Sequence, residues 1–247
     1  TDHDLEAFRE VLAAPPGRFS LFHAALLISA HEYPGREKAW WQIWHQKFHE
    51  LTSDARTFVE DPPSLTPRVA LRRLCHFFCE VRGFQGDFEE YTAPRNSCLT
   101  DVLTRRRGIP ITLSVLLIAI GKRLGMTLFG VNSPAHFLVA AEVPSSAELL
   151  FIDPFNGPDL LTRIDAADRI ADQVAVPRDH VLPYLVPTRD RQILIRMLNN
   201  LKMTYHTQGD MYKLIRVITW LLALNPNNMA EVRNRGLIHL RQGHYEK

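Results

Sequence analysis

The chain's 247 residues carry 29 Lys and Arg against 27 Asp and Glu, a net charge of +2 with histidine neutral. So even a balance gives no strong field to draw nucleic acid or an anionic membrane, and neither is expected as a partner. Apolar residues at 46% and charged residues at 23% are ordinary for a globular protein long enough to bury a substantial core. Three cysteines, Cys75, Cys79 and Cys98, argue against a disulfide framework and for a reducing compartment. Thr1 to Asp4 show no leader pattern, and the missing initiator methionine leaves room for processing. The longest apolar stretch, Ile109 to Ile120, is interrupted by Pro110, Thr112 and Ser114 and is too short for a bilayer. A soluble, cytoplasmic protein is expected.

The first ninety residues read as helices. Phe19, Phe22, Leu26 and Leu27 recur at helical spacing, as do Trp40, Ile43, Trp44, Phe48 and Leu51. Pro15-Pro16-Gly17, Pro34-Gly35 and Pro62-Pro63 separate these segments. The tryptophans Trp40, Trp41 and Trp44 are expected to serve helix packing. Ser64 or Thr66 can cap a fourth helix with Pro67 at its first position, running to Val81 and ending before Gly83. Cys75 and Cys79 share one face of it, but no second ligand pair at zinc spacing accompanies them, so no metal is expected.

A fifth helix is predicted from Leu99 to Arg107, stopped by Gly108. A sixth starts at Pro110 and runs through Leu113, Leu116, Leu117, Ile120 and Leu124 to Gly125. It is apolar nearly all round, which predicts a buried central helix. Met126–Val131, Phe137–Val143 and Leu149–Ile152 are short β-rich runs separated by Pro134 and Pro144-Ser145-Ser146, the pattern of a small antiparallel meander. The class is therefore α+β. Pro177, Pro183 and Pro187 suit a linker. Beyond it Gly209-Asp210-Met211 and Gly243-His244-Tyr245 lie 34 residues apart, the period of a tetratricopeptide helix pair. With Pro226 as the closing proline, packing positions fall on Leu198, Leu201, Tyr205, Leu214, Ile218 and Leu221, and a second copy stops short at Lys247. The predicted organisation is an N-terminal helical segment (1–60), a core (61–175), a linker (176–190) and repeat-like helices (191–247).

One block can carry chemistry: Asn96-Ser97-Cys98-Leu99, Arg105-Arg106-Arg107-Gly108-Ile109-Pro110-Ile111, Pro134-Ala135-His136-Phe137 and Phe151-Ile152-Asp153-Pro154-Phe155. A histidine opening one strand and an Asp-Pro ending the next present a base and the carboxylate that orients it. His136 and Asp153 are the candidate catalytic pair, with Asn96, Arg107, Pro110 and Thr112 as candidate binding residues. The Arg105-Arg106-Arg107 run reads first as a solvated helix end; alternatively Arg107 points into the cleft and pairs with a carboxylate.

This ordered block resembles the transglutaminase-like superfamily. More closely it is similar to the bacterial branch named after the B-type invasion-regulator (Sir) proteins, which joins such a papain-like core to tetratricopeptide helices. The resemblance covers roughly residues 60 to 247. It implies a helix-borne cysteine, then a histidine and an aspartate; the last two map onto His136 and Asp153. The cysteine's place falls on Pro110 or within a residue or so of it, where Ile109, Pro110, Ile111 and Thr112 offer no thiol and proline neither a side-chain nucleophile nor an N–H for an oxyanion hole. Cys98 lies a dozen residues too early. The leading expectation is a non-catalytic regulatory or scaffold protein with a protein or peptide partner and no cofactor. The alternative is an amide or ester hydrolase or acyltransferase using Thr112, Ser97, Cys98 or an activated water against His136.

Overall fold

The computed structural model describes residues 2–15, 18–33, 39–60, 65–144 and 148–241. The expected breaks at Pro16-Gly17, Pro34-Gly35, Pro62-Pro63 and Ser145-Ser146, the Ser64 cap and the Gly243 turn lie outside them. Helices α1 (Asp2–Leu12), α2 (Leu21–Ser29), α3 (Trp40–Glu60) and α4 (Pro67–His76) come first. Thr66 is the cap of α4: its side-chain oxygen accepts from Val69 N–H, with Pro67 behind it at the first helical position. The predicted single helix to Val81 instead changes to a π turn over Phe77–Val81 before Gly83 at φ +70°. Ile43 also departs from expectation: it is exposed, and the tryptophans beside it pack on one another, Trp40 to Trp41 at 4.5 Å and Trp40 to Trp44 at 6.1 Å.

Strand β1 (Gln85–Gly86) pairs in parallel with β2 (Arg107–Gly108), on either side of α5 (Leu99–Arg105). The helix α6 (Pro110–Arg123) is buried from Pro110 through Gly121, as its all-round apolar sequence requires. It lies against one face of an antiparallel sheet built from β3 (Leu128–Val131), β4 (Leu138–Ala141), β5 (Leu150–Ile152), β6 (Leu160–Leu161) and β7 (Pro187–Thr188), in the order β6-β5-β4-β3-β7. The helices α7 (Arg163–Val174) and α8 (Arg178–Val181) come between β6 and β7. Val139, Ala141 and Ile152 join the large core around α6, while Val131, Leu138, Ala140 and Phe151 pack with Ala166, Ala167 and Ile170 of α7 and Val181 of α8. Covering both faces explains why β4 is a continuous apolar run rather than an alternating one.

The stretch expected to be a linker is therefore structural. Pro187 sits opposite Val131 at the sheet edge, a position where its missing N–H costs no ladder bond. Then come α9 (Asp190–Gln208), α10 (Met211–Leu224) and α11 (Met229–Arg241). Gly209 ends α9 in the left-handed region, and Asp210 caps α10 by accepting from Lys213 N–H at 2.9 Å. Leu198, Leu201 and Tyr205 of α9 and Leu214, Ile218 and Leu221 of α10 are buried in the same core as α6. Among the described residues, no helix is long and apolar enough to cross a membrane.

Candidate functional site

His136 and Asp153 flank the paired ends of β4 and β5. A tight turn delivers the histidine: Ser133 Oγ donates to His136 O at 2.9 Å, and Ala135 is held at φ 52°, a left-handed conformation costly for a residue with a Cβ. The aspartate sits in a second turn, where Asn156 and Gly157 N–H groups donate to its carbonyl. Its carboxylate accepts from Phe155 N–H at 3.2 Å and from Asn156 Nδ2 at 2.7 Å.

The two side chains meet as expected. His136 Nε2 lies 2.9 Å from Asp153 Oδ2, with both side chains almost wholly removed from solvent. The ring N–H is not aligned on the oxygen, so neither ring nitrogen forms a hydrogen bond, and Nδ1 is buried without a partner. Burial alone would raise the Asp153 carboxyl. The His136 ring against it, then Asn156 and the more distant Arg169, outweigh burial and hold it below the usual carboxylate range. The Phe155 ring stands edge-on to His136 at 6.0 Å and closes the pair from outside.

Among the described residues no hydroxyl or thiol is hydrogen-bonded to the imidazole. Pro110 occupies the first position of α6 and is buried. Thr112 Oγ1 donates inward, to Asn96 O at 2.7 Å and Ile109 O at 3.0 Å. Cys98 is fully buried, its thiol pushed well above its ordinary value by burial first and then by Asp101 and Glu32, and its Sγ contacts Pro94 O at 3.5 Å. Ser114, one turn beyond Pro110, keeps a buried Oγ with no hydrogen bond. Cys75 is buried and raised mainly by desolvation; half-buried Cys79 is pushed up to about 12, by burial, then Glu80 and Asp153. Among the described residues no cluster of His, Cys, Asp and Glu could hold a metal ion.

The expected binding residues mostly serve the scaffold. Asn96 is fully buried: its Nδ2 donates to Glu90 O at 2.6 Å, and its Oδ1 accepts from Arg105 Nη1 at 2.9 Å. Arg105 also pairs with buried Asp87 at 2.5 Å, and Asp87 Oδ1 accepts from Glu90 N–H at 3.0 Å. Arg107, by contrast, is exposed, in β2 rather than at a helix end; the carboxylate pair offered as its alternative is made by Arg105. Helix α5 stops at Arg105 because Arg106 turns left-handed at φ 59°, which frees 107–108 to pair with 85–86. Sequence reasoning missed Asp87, Arg105, Phe155 and Arg196. Arg196 of α9 donates to Ser133 O at 3.0 Å and to Asn132 Oδ1, bracing the turn that carries His136. The Gly86-Asp87 step was the available signal, a small residue beside an acid.

A buried helix facing an antiparallel sheet, with a histidine and an aspartate at its strand ends, defines the class. The sequence profile of the transglutaminase-like superfamily matches residues 43–199. The chain belongs to the transglutaminase-like superfamily and, within it, groups with the UPF0162 proteins. A UPF0162 protein of Xylella fastidiosa (strain 9a5c) is 35% identical over 227 residues, covering 91% of this chain and 78% of that protein. UPF0162 protein PA3419 of Pseudomonas aeruginosa is 28% identical over 230 residues, 92% of this chain and 79% of the relative. Among solved structures, the crystal structure of menin aligns at a TM-score of 0.48 and 10% identity, over 99% of this chain and 66% of that one, a likeness too weak to carry inference.

Proposed function

We propose that this chain is a non-catalytic regulatory or scaffold protein of the bacterial cytoplasm, built on a transglutaminase-like fold and engaging a protein or peptide partner. One observation carries the reading: the buried Nδ1 of His136 has no hydroxyl or thiol bonded to it among the described residues, and Pro110 stands at the helix start. The hydroxyl of Thr112 is spent on backbone carbonyls, and Cys98 is held as a buried thiol rather than a thiolate. Kinship with the B-type invasion-regulator branch and tetratricopeptide geometry for α9–α11 belong to the same reading, supported by the Gly209 turn and the buried faces of α9 and α10.

The test is an assay of ester and amide hydrolysis and of amine incorporation, on the parent protein and on His136→Ala. The expected result is background turnover for both, unchanged by thiol alkylation. Turnover by the parent that His136→Ala abolishes overturns the reading and makes the protein an enzyme.

A further inference from the structure

We propose that a cavity of about 550 Å³ among α1, α9, α10 and α11 binds a small phosphate-bearing molecule with an apolar or aromatic body, of the size of a nucleotide. None of the residues around His136 lines it. The proposal therefore goes beyond the reading above and can stand or fall without it.

Three guanidinium groups line this cavity, Arg9, Arg191 and Arg235, and among the described residues no acidic side chain does. Each is differently committed. Arg191 Nε donates to Leu224 O at 2.9 Å, and its Nη2 donates to the same oxygen. Those bonds cap the end of α10, which is a sufficient structural reason for Arg191. They also fix the plane of the guanidinium and leave Nη1 uncommitted. Arg9 pairs with Glu6 on the next turn of α1, where both side chains are more than half exposed, so the pair is weak and easily exchanged.

Arg235 has no such account. It is half-buried on α11 and makes no hydrogen bond or ion pair with any described residue. A partly desolvated cation without an acceptor is unfavourable, and two further cations on the same cavity add to its positive potential. An anion relieves both. Guanidinium forks match phosphate oxygens in pairs, and a phosphate monoester brings close to two charges where a carboxylate brings one. The rest of the wall is apolar, with Leu12, Leu222 and Pro226 among its residues. A phosphate alone would leave most of this volume empty, whereas cavities of this size and lining suit a ligand with an apolar body and a few polar anchors.

The experiment titrates the full chain with AMP, inorganic phosphate and adenosine by calorimetry at low and high salt. AMP is expected to bind saturably and more weakly as salt rises, phosphate to compete with it, and adenosine to bind at least tenfold more weakly, roughly the loss of charge-assisted hydrogen bonds. Arg235→Gln and Arg9→Gln should each weaken AMP by about tenfold. Neither change removes an internal contact of consequence, and circular dichroism verifies the fold. The proposal is overturned by no saturable binding of AMP or phosphate, by equal affinity for adenosine and AMP, or by a folded Arg235→Gln that binds AMP as the parent does.

Discussion

Replacing Gly86 with alanine is a direct probe of how tightly the histidine pair is enclosed. Gly86 N–H donates to Phe155 O at 3.2 Å, which ties the two backbones together. A Cβ at this position would stand 2.6, 2.7 and 2.8 Å from three carbons of the Phe155 ring, far inside the ~3.5–4.0 Å optimum for carbon pairs. The Gly86 backbone is not among the left-handed positions, so alanine adds no backbone strain and the cost is steric. To escape, the ring must swing against Phe88 at 4.6 Å, Tyr91 at 5.9 Å or His136 at 6.0 Å. Overpacking of this kind costs about 1–3 kcal/mol. Phe155→Leu removes the clashing ring edge, so adding Gly86→Ala to it should cost much less than adding it to the parent. Urea unfolding of the four proteins, followed by near- and far-ultraviolet circular dichroism, measures the coupling. A neutral Gly86→Ala, or costs that add to within about 0.5 kcal/mol, would refute this packing account.

Two further perturbations test the pair and the helices. The Asp153 carboxyl is held below its unfolded value of about 3.9, so its contribution is fully present above that pH and is lost as pH falls through the lowered folded value. Asp153→Asn should lower stability at neutral pH by about 1–3 kcal/mol and flatten the acid limb of a plot of unfolding midpoint against pH; an unchanged limb rejects Asp153 as its source. Leu201→Ala empties a fully buried position on α9 that shares the core with α6, and should cost about 2–5 kcal/mol in a single transition. An unaffected melt, or a separate early transition, would mean that α9 folds apart from the sheet.

The parts legible in the sequence are those governed by local rules. Pro110 at a helix start, Gly125 and Gly209 beyond helix ends, and the apolar run of α6 each follow from backbone or burial physics within a few residues. The order His136 then Asp153 was readable for the same reason: one opens a short β-rich run and the other closes the next, and antiparallel pairing brings such ends together. Boundaries set by distant partners were not readable. The two-residue strands β1, β2, β6 and β7 are too short to show alternation. The end of α5 depended on a positive φ at Arg106, which no glycine announced. The same applies to His31: it is buried beneath Trp220 at 4.5 Å with no hydrogen bond, and pushed down to about 3, by burial first, then mainly by Arg216. A histidine in sequence carries no mark of such surroundings.

The polar groups of the 86–97 loop and its neighbours point into the scaffold. Asn96, Thr112, Asp87 and Arg105 spend their donors and acceptors on one another and on backbone carbonyls, locking the 86–97 loop to α5 and α6. The histidine turn is tied in the opposite direction, through Ser133 to Arg196 on α9, and Thr204 of α9 contacts Thr92 O of the loop at 3.4 Å. Helix α9 therefore holds both the histidine turn and the 86–97 loop. Phe155, packed between Gly86 and His136, joins the loop to the histidine turn.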